Sequence, residues 1–186
     1  NYSHAGTGLV MASSDAADFA TKLSASGAFS QVAEDMRVKW VPDVKTVEFQ
    51  DDAIDPSNDT FYPIQWAPGA ISAPAAWAAG CTGKGVRVAV IDGGIYSAHP
   101  DLAGAIDTAA SRSFVPGKVW NEDTGTFWHG THVAGIIAAR DNSTGVVGIA
   151  PEATIVGVKA LHSGSGDFGW VISAILYAAT PVAQGG

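Results

Sequence analysis

Val86-Arg-Val-Ala-Val-Ile-Asp92 is an apolar run interrupted only by Arg87 and closed by an acid. Runs of this kind suit strands covered on both faces, as in parallel sheets. Thr154-Ile-Val-Gly-Val-Lys-Ala-Leu161 predicts a further strand. In Ser72-Ala-Pro-Ala-Ala-Trp-Ala-Ala-Gly80, a proline just inside the start and a glycine just past the end mark a short helix. Residues 132–139 read as a helix of small and apolar residues. Asp167 can cap a last helix, on which Phe168, Val171, Ile172, Ile175, Leu176 and Ala179 form one stripe and which Pro181 stops. This alternation predicts an α/β fold with an open, doubly wound, mostly parallel sheet. Ligand sites in such sheets lie at the carboxyl ends of strands, where Asp92 falls.

The first forty residues differ in character. Gly8-Leu-Val-Met-Ala12 predicts a short strand, and Ser14 and Asp15 can cap an amphipathic helix carrying Ala16, Phe19, Ala20 and Leu23. Gly27 ends it, and Phe29-Ser-Gln-Val-Ala33 predicts a second strand. This small α+β piece has too little chain for a core of its own and must pack on something else. Residues 42–58 hold Pro42, Pro56, Asp51, Asp52 and Asp55 and read as a connector, with a second domain starting at residue 59.

A hydrophobic content of 47% with 15% charged residues, over 186 residues, indicates a packed globular core. Ten basic against 18 acidic residues give a net charge of −8, which argues against a nucleic-acid partner, since phosphate binding needs a basic face. No apolar run approaches the ~20 residues that span a membrane. Cys81 is alone, so no disulfide forms within the chain, and it reads as a small, at least half-buried apolar residue. The start at Asn1 is read as that of a processed or trimmed product.

The chemistry centres on Asp92 and on His129-Gly-Thr-His-Val-Ala-Gly135. A serine hydroxyl needs a base to take its proton during attack, and histidine suits that task. A carboxylate behind the imidazole fixes its tautomer and stabilises the imidazolium as it forms. At a helix start His129 feels the positive end of the helix dipole, which favours the neutral ring. Gly93 and Gly94 leave room for a group to approach Asp92.

Val88-Ala-Val-Ile-Asp92-Gly-Gly94-Ile, His99-Pro-Asp101-Leu, His129-Gly-Thr-His-Val-Ala-Gly135 and Gly148-Ile-Ala-Pro151, in this order, resemble the subtilisin-like serine proteases (subtilases, peptidase S8 family). The resemblance covers residues 59–186 and implies a subtilisin-like α/β fold, here truncated. It implies a serine endopeptidase with Asp92 as triad acid and His129, not His132, as triad base. The family usually has Ser or Thr after the acid, where this chain has Gly93. The nucleophile of the family lies in a Gly-Thr-Ser-Met-Ala-like motif after an oxyanion asparagine; both are expected beyond Gly186, so that this piece alone would be inactive and would need the remainder of the catalytic domain.

The same resemblance implies more. The loop after the histidine helix is expected to hold structural calcium through the Asn142 side chain, the carbonyls of Arg140, Thr144 and Val146, and the carboxylates of Asp101 and Asp59; oxygen-rich loops suit that ion. Gly164, Ser165 and Gly166 are expected to form an edge that pairs with the backbone of a protein or peptide substrate, with Leu161 and Phe168 bordering an apolar pocket. Residues 1–41 resemble the C-terminal half of an inhibitory propeptide, an intramolecular inhibitor; residues 42–58 are the linker and 59–186 the N-terminal part of the catalytic domain. Processing is expected between residues 40 and 59, and the family implies a secreted zymogen.

Other readings compete. Gly93 and the missing serine fit an inactive subtilase-like module that only binds peptides. His99, His129 and His132 could serve a metal hydrolase, although no His-Glu-x-x-His pattern is present. Gly164-Ser-Gly-Asp-Phe-Gly169 spells a dinucleotide-binding pattern, weak on its own. Asn142-Ser-Thr144 is a glycosylation sequon that competes with calcium for one side chain.

Overall fold

The computed structural model describes residues 2–4, 7–39, 57–124 and 128–181; of the expected connector, all but residues 57 and 58 lie outside them. Among the described residues, three parallel strands form the central sheet, β4 (Arg87–Asp92), β5 (Arg112–Ser113) and β6 (Thr154–Lys159), in the order β4-β6-β5. Register sets Val88 against Ile155, Val90 against Gly157 and Asp92 against Lys159. The chain therefore has the α/β architecture with a parallel sheet read from its sequence.

Successive strand residues face opposite sides, and the two faces are covered differently. Val90 and Ile155 pack with Ala134 and Ala138 of α4 (His129–Ala138). Val156 and Val158 pack with Ala174 of α5 (Phe168–Ala179), joined by Ile91 and Val171. Small residues on both helices allow this close approach. The expectation that β4 is covered on both faces holds only for its second half: Arg87 and Ala89 are exposed, while Val90 and Asp92 are buried.

Several boundaries shift. α4 begins at His129, three residues before the expected helix over 132–139. The stripe expected on α5 is not its buried face: Gly169, Ser173 and Ala174 are buried, whereas Ile172 and Ile175 are exposed. Asp167 holds the N-cap position of α5 without a side-chain cap bond. Cys81 is exposed rather than half-buried. The short helix read over residues 72–80 is α3 (Ala73–Ala78), preceded by α2 (Trp66–Ala70).

The N-terminal segment consists of an antiparallel pair, β1 (Tyr2–His4) with β2 (Leu9–Met11), then α1 (Phe19–Ala25) and β3 (Arg37–Lys39). Gly27, at φ +69°, follows the end of α1 in the left-handed conformation that terminates helices. The strand expected at residues 29–33 is absent; those residues are irregular, and the strand forms later, at Arg37–Lys39. Its partner is β7 (Ser165–Asp167), far along the chain, antiparallel. Local apolar patterning could not locate it, because the partner strand selects which extended residues become a ladder.

Candidate active site

Asp92 ends β4 and His129 opens α4, and the two meet: Nδ1 of His129 lies 2.7 Å from Oδ2 of Asp92. The other carboxylate oxygen accepts the Gly93 N–H at 2.6 Å. Asp92 is buried, and the His129 side chain keeps 32% of its surface exposed. The acid is thus held on the protein side and the imidazole faces outward, an arrangement suited to passing a proton to a group in solvent or in a groove.

Two glycines permit the contact. A Cβ on Gly130 would lie 2.1 Å from the Gly94 carbonyl oxygen and 3.0 Å from Asp92 Cβ. Gly94 has φ +114°, and a Cβ there would lie 2.3 Å from the Glu122 carbonyl oxygen. Thr131 then ties the parts together: its hydroxyl accepts the Tyr96 N–H at 2.9 Å, and its own N–H and O–H donate to Asp123 Oδ2 at 2.8 and 2.6 Å. Asp123 thereby satisfies an otherwise unpaired N–H in the first turn of α4.

Beneath this pair lies Lys159, fully buried at the end of β6 and in register with Asp92. Its Nζ donates to the Gly93 carbonyl and, at 2.9 Å, to the Glu122 carbonyl. Burial pushes its pKa below the ordinary lysine value, opposed by Glu122, Asp123 and Asp92. Sequence reading overlooked it; the available signal was a single charge inside the apolar run of a central strand. Asp123 offered none, since acids in polar loops are commonplace. Trp128 was missed too. It precedes His129 in the left-handed conformation (φ 47°, ψ 59°), 55% exposed, with its ring centroid 5.5 Å from that of Tyr96.

His132 is exposed on α4, and His99 spends its Nδ1 on the Asp101 N–H at 3.2 Å. The three histidines of the metal-hydrolase reading therefore do not converge. The dinucleotide reading also loses its ground: the α5 N-terminus is filled by Asp35, whose carboxylate oxygens accept the Gly169 N–H at 3.1 and 3.2 Å.

Residues 164–166 lie in a turn and a short strand. Gly164 is a turn residue at φ +75°, closing a hairpin in which the His162 N–H donates to the Ser165 carbonyl at 2.7 Å, and the edge strand itself is Ser165–Asp167. Burial, then Lys118 nearby, lowers the His162 pKa, and its Nδ1 lies 3.0 Å from the Thr124 hydroxyl. Leu161 is buried against this edge, where a Cβ on Gly166 would lie 2.7 Å from Leu161 Cδ2. Phe168 is half-buried, and its N–H donates to the Met36 carbonyl at 3.1 Å. The edge is occupied by the chain's own residues 37–39. The docking extends to Met11, whose sulfur would lie 2.1 Å from a Cβ on Gly169, so a larger residue there would have to displace the Met11 side chain.

The loop at residues 140–146 folds around two acids. Asp59 Oδ1 accepts the N–H groups of Asn142 and Thr144 at 2.9 and 3.0 Å, while its buried Oδ2 has no partner. Asp101 Oδ2 accepts the Val146 N–H at 3.1 Å, and its main chain meets Arg140 through an N–H to carbonyl bond of 2.8 Å. Asn142 Oδ1 accepts the Thr144 N–H at 3.0 Å. Two buried carboxylates, one with an orphaned oxygen, beside a loop rich in carbonyls make a donor set that fits a hard cation.

The family model described as Subtilase family matches residues 83–185, more than half of the chain. The chain belongs to the subtilase family. Among curated subtilases, Subtilisin E of Bacillus subtilis (strain 168) is 50% identical over 109 residues, 58% of this chain and 27% of the relative. The Major intracellular serine protease of the same organism is 44% identical over 112 residues, 58% of this chain and 34% of its own length. An Alkaline protease of Alkalihalobacillus alcalophilus is 50% identical over 105 residues, 56% of this chain and 26% of its own length. The match thus spans about a quarter to a third of these relatives. No described helix is long and apolar enough to cross a membrane.

Proposed function

We propose that the chain is the N-terminal part of a subtilisin-like serine endopeptidase in which Asp92 and His129 are two members of a Ser-His-Asp triad. The observation that carries this reading is the 2.7 Å contact between His129 Nδ1 and Asp92 Oδ2, set inside the histidine motif of a subtilase. With Nδ1–H donating to Asp92, Nε2 is the basic nitrogen. It takes the proton of a serine supplied from beyond Gly186 as the serine oxygen attacks a peptide carbonyl. The imidazolium returns that proton to the departing amine, leaving an acyl-enzyme, and water then attacks with His129 again as base. Lys159 holds the Gly93 and Glu122 carbonyls and so fixes the turn that carries Asp92.

Residues 1–41 act here as the C-terminal half of a propeptide, 42–58 as linker and 59–186 as the start of a doubly wound catalytic domain. The pairing of β3 with β7 supports this: the segment lies on the edge where a substrate strand would be added. Exposed Ile136, Ile172 and Ile175 on α4 and α5 offer apolar surface for the remainder of the domain to cover. The substrates are proteins or peptides, bordered by Leu161 and Phe168, and the enzyme is secreted as a zymogen.

Calcium fits the loop at residues 140–146. Asp59, Asp101 and Asn142 would hold it with the carbonyls of Arg140, Thr144 and Val146. Bound calcium would supply positive charge that neutralises the two carboxylates and ties residue 59 to the loop.

A fluorophosphonate probe applied to the full-length, processed protein tests the triad. Covalent labelling that is lost in His129→Ala is expected. A folded protein that binds peptides along β7 but takes no label would instead establish the inactive peptide-binding module, the reading favoured by Gly93 after the acid.

A further inference from the structure

β3 lies on β7 in one register: Arg37 opposite Asp167, Val38 opposite Gly166, Lys39 opposite Ser165. Alternate side chains of a strand face opposite ways, which sets Val38 apart from Arg37 and Lys39. Val38 is the half-buried one, and its position faces a glycine backed by Leu161. Arg37 meets a different surface. Its guanidinium carbon lies 5.7 Å from the ring centroid of Trp170, in the first turn of α5, while its register partner is the acid Asp167. An aromatic face therefore bears on this position of the docked strand, and an acid stands opposite it in the ladder. A planar guanidinium can stack on an indole and keep its hydrogen bonds in the ring plane, which an ammonium cannot do as well. The chain's net charge of −8 further favours cationic peptides.

We infer that Trp170 and Asp167 form a subsite selecting a cationic residue, arginine above lysine, at the substrate position paired with Asp167, and that Arg37 occupies it in the unprocessed chain. The inference rests on the reading of β7 as the substrate edge. Trp170 is a specificity-determining residue, remote from the reacting atoms.

Peptides with the sequence of residues 34–59, carrying Arg, Lys, Met or Glu at position 37, are to be turned over by the full-length, processed protein. The expected kcat/KM for Arg exceeds that for Met by about two- to five-fold, the scale of an exposed cation–π contact, with Lys between them and Glu lowest. Trp170→Leu should bring the Arg-to-Met ratio to about one, and Trp170→Phe should retain part of it, which a folding defect would not. A second measurement needs no catalysis: in the unprocessed chain, Arg37→Met should speed hydrogen exchange of the Phe168 amide by about two- to five-fold. Hydrolysis with an Arg-to-Met ratio of one overturns the subsite and leaves the protease standing. No hydrolysis, with exchange accelerated, overturns the protease and leaves the subsite standing. No hydrolysis with exchange unchanged overturns both.

Discussion

The contact between Asp92 and His129 exists because Gly130, the residue after the histidine, has no side chain. A Cβ there would stand 2.1 Å from the Gly94 carbonyl oxygen and 3.1 Å from Asp92 Oδ1. Gly130→Ala therefore pushes α4 away from the end of β4. It should cost about 1–3 kcal/mol of stability, the usual scale of overpacking. Fluorophosphonate labelling should fall at least ten-fold in protein that is still folded by circular dichroism. A variant that labels at the wild-type rate would show that the helix can move without parting the pair.

Lys159 should leave a pH signature. Its folded-state pKa lies below 10.5, with burial the main cause, so between the lowered value and 10.5 the unfolded chain binds more protons than the folded one. Stability from this group therefore rises with pH across that window and is lowest beneath it. Lys159→Met removes the slope and leaves the Gly93 and Glu122 carbonyls unpaired, a loss of about 1–3 kcal/mol. Denaturant midpoints of both proteins from pH 7 to 10.5 should show the wild-type advantage widening. A constant gap would mean that Lys159 titrates alike in both states.

For the loop at residues 140–146, a chelator should lower the Tm of the wild type. Calcium at a hundred-fold excess over Kd should add about 2.7 kcal/mol. Asp59→Asn keeps the side-chain volume but removes the charge of the orphaned oxygen, and its melting should respond far less to either treatment. Equal chelator shifts in the two proteins would reject Asp59 as a ligand.

Trp128 offers a comparison of two substitutions. Trp128→Ala loses the ring contact with Tyr96, worth about 0.5–1.5 kcal/mol, and retains the left-handed backbone at φ 47°. Trp128→Gly loses the same contact but relieves a conformation that costs a non-glycine residue about 1–2 kcal/mol. Thermal unfolding should therefore find the glycine variant more stable than the alanine variant and close to wild type. The reverse order would mean that the strain at residue 128 is smaller than the extra conformational entropy a glycine loses on folding.

What the sequence determined by itself was everything carried by local pattern. The apolar run into Asp92 became β4, the run over residues 154–161 became β6, and His129 opened a helix whose Gly130 lies against the strand end, while nothing lies within 4 Å of a Cβ at Gly135. Such signals are local because strand burial and helix packing leave their mark on contiguous residues. Only the tertiary structure decided the rest. The strand near residue 37 forms because β7 offers unpaired backbone groups to it. Asp35, not Asp167, meets the N-terminus of α5, and Lys159 is held by carbonyls from residues 93 and 122. These partners are tens of residues apart and chemically ordinary; they acquire their roles only when folding excludes water and leaves each buried polar group a single place to bond.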